Sequence, residues 1–143
     1  MIVVRRDEMR MPLLLVIFSW LAMSQAYAKS PAPLTVKGAQ TISTIQAKSL
    51  KNQGVTFIDV RRASDFQTSH IPWSIHLDLK LDLTEASLLN VVSKNQAVVF
   101  YCNGDQCQRS ALASEKAVSW GWKKVLYYRG GFPDWKASGL AIQ

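Results

Sequence analysis

Two thiols stand five positions apart in this chain, at Cys102 and Cys107, and they are its only cysteines. A cysteine thiolate is a strong nucleophile, and it is the form of the side chain that reacts to give persulfides, sulfenates and disulfides. Two cysteines are too few for a disulfide-dense scaffold. A four-ligand structural zinc site would need both of them and both histidines, so we expect no metal site. The chemistry of this chain is therefore expected to be that of a reactive thiol.

Cys102 directly follows an apolar run, residues 97–101, which predicts a buried strand. A helix is predicted to follow, from Ser110 to Trp120. A loop between a strand and a helix can turn its backbone N–H groups inward, and with the helix N-terminus it then forms a positive pocket. We expect a thiol on the floor of that pocket to have a lowered pKa; the alternative is an inert, buried structural cysteine. The candidate substrate-binding loop comprises Asn103, Gly104, Asp105, Gln106, Cys107, Gln108 and Arg109.

The remaining elements predict an α/β fold. Strands are expected at 39–42, 55–60, 73–77, 97–101 and 125–128. The intervening sequence favours helices, with capping-box patterns at Ser43 and Gln46 and at Asp82 and Glu85. Because the runs 55–60 and 97–101 are continuously apolar, they are typical of a parallel sheet covered on both faces. In such a sheet ligands bind beyond the carboxyl ends of the strands, which is where Cys102 lies.

The first residues predict a targeting segment. Residues 1–28 combine arginines, an uncharged apolar stretch (11–23) and the small-x-small pattern Ala26-Tyr27-Ala28, as a secretory signal peptide does. The alternative is an uncleaved anchor, and only then would we expect contact with a membrane. Residues 29–37 are interpreted as a polar linker and 38–143 as one domain. This organisation predicts an exported, periplasmic protein.

The formal net charge is +7, but the charges are scattered, so no nucleic-acid partner is expected.

Five short motifs, in order, make the chain resemble a single-domain rhodanese. They are 57–61 (FIDVR), 69–72 (SHIP), 101–102 (YC), 109–110 (RS) and 130–135 (GGFPDW). The resemblance implies a parallel five-stranded sheet flanked by helices, and sulfurtransferase activity. In that chemistry Cys102 takes a sulfane sulfur from a small donor such as thiosulfate, and the persulfide passes it to a thiol or to cyanide. No separate cofactor is implied, because the persulfide carries the sulfur.

The family pattern also suggests supporting residues. Asp59 and Arg61 end a predicted strand and are expected to form an internal polar network near the site. His70 is expected to be structural, since a general base would have to lie beside Cys102. Arg109 is expected either to pair with an anionic substrate or to steady the loop.

The loop departs from the family pattern in two respects. Arg109 follows Cys102 by seven positions, two more than is common in rhodaneses, and Asp105 adds a negative charge. That charge disfavours phosphate hydrolysis and weakens the case for thiosulfate.

Cys107 has three open interpretations: a bystander, a resolving thiol that closes a disulfide with Cys102, or a permanent half-cystine. A fourth, Cys107 as the nucleophile, fits poorly because it is not at the strand end. The leading functional hypothesis is an exported sulfurtransferase that uses Cys102. The alternative is a non-catalytic or redox-regulated rhodanese-like binding or sensor module that uses the Cys102/Cys107 pair.

Overall fold

The computed structural model describes residues 30–143, and the residues predicted as a signal peptide, 1–28, lie outside that range. Within residues 30–143, five strands and five helices alternate. The strands are β1 (Ala39–Thr41), β2 (Thr56–Asp59), β3 (Ile75–His76), β4 (Ala97–Tyr101) and β5 (Lys124–Tyr128). The helices are α1 (Thr44–Asn52), α2 (Ala63–Thr68), α3 (Glu85–Leu89), α4 (Arg109–Ser119) and α5 (Gly131–Ala137).

The strands form one parallel sheet in the order β1-β5-β4-β2-β3. This confirms the predicted α/β fold with a parallel five-stranded sheet. β4 lies at the centre, with Val99 opposite Phe57 of β2 and Leu126 of β5. Because all connections are parallel crossovers, the loops after β2, β4 and β5 meet at the same edge of the sheet. The loop that begins at Cys102 is the middle one of these three.

Both faces of the sheet are covered, which explains why the central strands are apolar without alternation. On one face, Val98 and Phe100 pack with Leu88 of α3 and Ala113 of α4. On the other face, Val99 and Tyr101 pack with side chains of α1 and α5, among them Ala47 and Trp135. Within residues 30–143, no helix is long and apolar enough to cross a membrane.

The predicted capping box at α1 is confirmed. Ser43 Oγ accepts from the Gln46 amide, and the Gln46 side chain accepts from the Ser43 amide. The predicted cap of α3 is wrong. Thr84, not Asp82, caps this helix, and its box is completed by Ser87 rather than by Glu85.

The reason lies in the contacts of Asp82. Its carboxylate accepts from the amide of Asp78, at 3.3 Å, and its carbonyl accepts from the Ser87 hydroxyl. Those contacts hold Asp82 in the preceding turn, so the helix begins later.

Residues 30–36, part of the segment predicted as a linker, lie along the domain as an N-terminal strap. The Ala32 amide donates to the Asp105 carbonyl at 2.6 Å. The Ala32 carbonyl accepts from the Arg129 guanidinium at 3.1 and 3.2 Å, and the Pro33 carbonyl accepts from the Tyr127 hydroxyl. Ala32 and Val36 are buried, so small apolar side chains attach a segment whose composition resembles a linker.

Candidate active site

Cys102 lies immediately after central strand β4 and is 0% exposed. Its Sγ atom is 3.2 Å from the carbonyl oxygen of Cys107 and 3.2 Å from the hydroxyl of Ser110, in the first turn of α4. The thiol is therefore at the floor of the loop, as predicted, but the loop is folded over it. A donor molecule reaches this sulfur only when the loop moves or when Cys107 is displaced.

Glycine allows the loop to take this shape at two points. Gly104 has a φ of +94°, and the Cys107 amide donates to the Gly104 carbonyl at 3.0 Å, which closes a turn. From the opposite side, Gly131 has a φ of +61° and lies directly against the backbone of Cys102 and Gly104. The amide of Phe132, in the first turn of α5, donates to the Cys102 carbonyl at 2.9 Å. The GGFPDW motif thus supports the cysteine loop from behind.

The two thiols have opposite electrostatic environments. Burial raises the pKa of the Cys102 thiol, and the adjacent Cys107 thiolate raises it further, while contacts with Ser110 act in the other direction. The Cys102 thiol lowers the pKa of Cys107 to about 6; burial opposes this, and the amides of Arg109 and Asn103 and the charge of Arg109 assist it. The expected low pKa at Cys102 is therefore wrong for this conformation. In this conformation it is the Cys107 side chain whose pKa is lowered, so it takes the place expected for an anionic group.

Arg109 steadies the loop. Its guanidinium donates to the Val60 carbonyl at 3.0 Å and to Asp78 Oδ1 at 3.1 Å, so its charge is paired within the protein. Burial opposes ionisation of Asp78, but the hydrogen bond from the Lys80 amide and then the bond to Arg109 lower the pKa of its carboxyl. Of the two roles predicted for Arg109, the structure shows loop support.

A buried ion pair holds the other side of the loop. The Arg61 guanidinium is 2.7 Å from Asp59 Oδ2 and also donates to the Ser69 carbonyl at 2.7 Å. Asn103 links this pair to the loop, since its side-chain oxygen accepts from Arg61 at 3.4 Å and its side-chain nitrogen Nδ2 donates to Asp65 Oδ2 at 3.1 Å. Asp59 and Arg61 thus position the residue that follows Cys102.

His70 lies away from the thiols. Its Nδ1 is 2.8 Å from the Phe66 carbonyl, its ring stacks on the Phe66 ring, and its backbone pairs with that of Gln143. These contacts give His70 a packing role and place no general base beside Cys102.

A small cavity of about 210 Å³ opens beside the loop. It is lined by Asn103, Gly104, Asp105, Arg129, Gly130, Pro133 and Asp134. The half-buried Gln108 side chain donates to the Ser30 carbonyl of the strap. Gln106 is exposed.

Within the described range, no group of three or more histidine, cysteine or acidic side chains could hold a metal ion.

Sequence reasoning missed two residues that shape this site: Ser110 contacts the Cys102 sulfur, and Asp78 holds Arg109. Gly131, in the 130–135 motif, packs against the loop backbone. The arginine-serine motif contained a signal for Ser110, since a hydroxyl at the first turn of a helix can face the preceding loop. Asp78 had no such signal, because its segment carries no recognisable pattern.

Comparisons with known proteins agree with this geometry. The model of the rhodanese-like domain family matches residues 43–138. Thiosulfate sulfurtransferase GlpE of Pseudomonas savastanoi pv. phaseolicola is 34% identical over 93 residues, which are 65% of this chain and 83% of that protein.

Two solved structures share the fold. Human single-domain sulfurtransferase TSTD1 has a TM-score of 0.58 at 22% identity, with 69% of this chain and 96% of that one covered. A Rhodopseudomonas palustris protein of unknown function, described as a possible tyrosine phosphatase, has a TM-score of 0.62 at 28% identity, covering 73% and 85%.

The chain therefore belongs to the family of rhodanese-like domains. Within that family it is an enzyme, a sulfurtransferase of the rhodanese type.

Proposed function

We propose that this enzyme moves a sulfane sulfur from a donor such as thiosulfate to a thiol or to cyanide through a persulfide on Cys102. The observation that carries the proposal is the position of Cys102, at the carboxyl end of the central strand and under a loop that continues into α4. In parallel sheets this is the usual place for reactive groups. The relative named thiosulfate sulfurtransferase supports thiosulfate as the donor.

The reaction begins with attack of the Cys102 thiolate on the outer sulfur of thiosulfate. The S–S bond of thiosulfate breaks, sulfite leaves with the electron pair, and the sulfane sulfur remains on Cys102. Because Cys102 is buried and its pKa is raised, this step requires the loop to open first. Ser110, at the N-terminus of α4, lies 3.2 Å from this sulfur and is placed to donate a hydrogen bond to the thiolate.

The test is thiocyanate formation from thiosulfate and cyanide by the reduced protein. We expect activity in the natural chain and its loss in Cys102→Ser, which keeps the size of the side chain and replaces the nucleophile with a hydroxyl. Urea denaturation of both proteins controls for folding. Equal thiocyanate formation by the variant would overturn the assignment of Cys102.

A specific observation also favours the redox-regulated alternative, namely that the Cys102 sulfur lies 3.2 Å from the carbonyl oxygen of Cys107, so the two cysteines are neighbours in the folded loop. Exported proteins meet oxidising conditions, in which neighbouring thiols form disulfides. Intact mass before and after mild reduction tests this, since a disulfide gains about two mass units on reduction. A disulfide in the isolated protein, together with no sulfur transfer after reduction, would favour the sensor module.

We further propose export to the periplasm, supported by the arginines, the apolar stretch and the Ala26-Tyr27-Ala28 pattern of residues 1–28. The test is the N-terminal sequence of protein recovered from the periplasmic fraction. Cleavage after Ala28 is expected; a full-length chain in the membrane fraction would instead support a retained anchor.

A further inference from the structure

The two cysteines differ in access. Cys102 is 0% exposed, whereas Cys107 is half-buried and lies in the outer part of the loop. An external thiol that accepts sulfur from Cys102 must therefore displace the loop. The Cys107 thiol does not have to enter from solvent, because it is part of the loop that covers Cys102. The carbonyl oxygen of Cys107, in the same residue as that thiol, is 3.2 Å from the Cys102 sulfur.

Cys107 is also prepared to act as a thiolate. The neighbouring Cys102 thiol lowers the pKa of Cys107, and the backbone of Arg109 and of Asn103 and the charge of Arg109 lower it further, which favours the thiolate. The turn from Gly104 to Cys107 holds this arrangement through the bond from the Cys107 amide to the Gly104 carbonyl. A nucleophile and its target are thus held together before any acceptor arrives.

We propose that Cys107 is a second catalytic residue, whose thiolate attacks the Sγ atom of the Cys102 persulfide, closes a Cys102–Cys107 disulfide and releases hydrosulfide. This inference rests on the proposed function, since the persulfide must first form on Cys102. In the step the new bond joins the two cysteine sulfurs, and the bond between Cys102 and the sulfane sulfur breaks. The departing sulfur leaves with that electron pair and the persulfide proton.

The electrons balance within the protein. Two thiols are oxidised to one disulfide, and the sulfane sulfur is reduced to sulfide. With thiosulfate as donor, one cycle yields one sulfite and one hydrosulfide. A dithiol reductant then restores both thiols by thiol–disulfide exchange. The acceptor class implied is therefore a protein or small-molecule dithiol that attacks the disulfide, starting at the more exposed sulfur of Cys107.

The experiment uses the full chain, reduced, freed of reductant, kept anaerobic and mixed with thiosulfate in the absence of any acceptor. Sulfite, sulfide and intact mass are followed together. We expect about one equivalent each of sulfite and sulfide and a loss of about two mass units as the disulfide forms. Both Cys107→Ser and Cys107→Ala should release sulfite, gain about 32 mass units as a stable persulfide and release sulfide at least about tenfold more slowly.

The outcomes separate the two proposals. Sulfite release by the natural chain without sulfide, with a stable gain of one sulfur, would overturn the role of Cys107 and leave the sulfurtransferase intact. Sulfide release by both Cys107 variants at the natural rate would do the same. A natural chain that releases neither product would overturn the Cys102 persulfide and this inference together. The matched variant Cys102→Ser is expected to release neither; a gain of sulfur on that variant would make Cys107 the first nucleophile and refute the order of steps.

Discussion

Gly131→Ala should damage the cysteine loop from outside it. Gly131 has a φ of +61°, and an added Cβ would lie 2.3 Å from the Cys102 carbonyl oxygen and 3.0 Å from the Gly104 amide nitrogen. Both contacts are with backbone, which cannot rotate away as a side chain can. The alanine therefore fits only if the loop that carries Cys102 moves, or if α5 moves away from it.

The size of the effect on the free energy of unfolding follows from three contributions. A left-handed backbone costs a non-glycine residue about 1–2 kcal/mol, and the smaller entropy of the unfolded alanine chain returns about 0.4–1 kcal/mol. Forcing an extra carbon into a filled site costs about 1–3 kcal/mol more. We expect Gly131→Ala to lower the free energy of unfolding by about 1–5 kcal/mol, with a central value of about 3 kcal/mol.

Gly139→Ala is the matched control. Gly139 has a φ of +70°, similar to that of Gly131, but an added Cβ there meets no atom within 4 Å. This variant carries the backbone strain without the clash, so the expected loss is about 1 kcal/mol. The difference between the two variants isolates the contact with the loop.

The assay is equilibrium unfolding in urea, paired with sulfite release from thiosulfate at low temperature, where both variants stay folded. Gly131→Ala should unfold at lower urea than Gly139→Ala, and it alone should lose sulfite release, because its Cys102 loop is displaced. Equal stability of the two variants, with equal activity, would refute the claim that Gly131 holds the loop in place.

Two further predictions concern charge. Arg61→Leu leaves the Asp59 carboxylate buried without its partner. The free energy of unfolding, measured by urea denaturation, should therefore fall by about 3–5 kcal/mol. A loss below about 1 kcal/mol would show that water or another group replaces the guanidinium. Cys102→Ala removes the thiol that contributes most to lowering the pKa of Cys107. The pH midpoint of Cys107 alkylation by iodoacetamide should therefore rise from about 6 toward about 8.5, whereas an unchanged midpoint would assign the lowering to the loop amides alone.

The fold was predictable where one physical cause dominated. The apolar run 97–101 has the same bounds as β4. Because β4 is buried on both faces, its residues form a continuous apolar run whose ends are clear in the sequence. β3 is shorter than predicted, two residues instead of five, since it lies at the sheet edge and pairs only with β2. At α3, Asp82 and Thr84 both suit a cap, and only the tertiary contacts of Asp82 decide between them.

The site was predictable in its location and not in its interior. The end of β4 places Cys102, and that required only the strand pattern and the rule for parallel sheets. The direction of the two sulfurs depends on contacts distant in sequence, from Gly131 and from the bonds of Arg109 to Val60 and Asp78. A loop conformation that is set by such contacts leaves no local pattern in the sequence. The raised pKa of Cys102 and the lowered pKa of Cys107 were therefore not predictable from the sequence.

The longer loop and the N-terminal strap are best understood together. The strap binds the outer side of the loop, where the Asp105 carbonyl accepts from Ala32 and Gln108 donates to Ser30. In this closed conformation these bonds hold the outer side of the loop against the strap. A turn closed by the bond from the Cys107 amide to the Gly104 carbonyl brings Cys107 back over Cys102. In this conformation the turn therefore covers Cys102 and does not widen a pocket above it. It places a second thiol beside the first, and this is the arrangement that the release of sulfide would require.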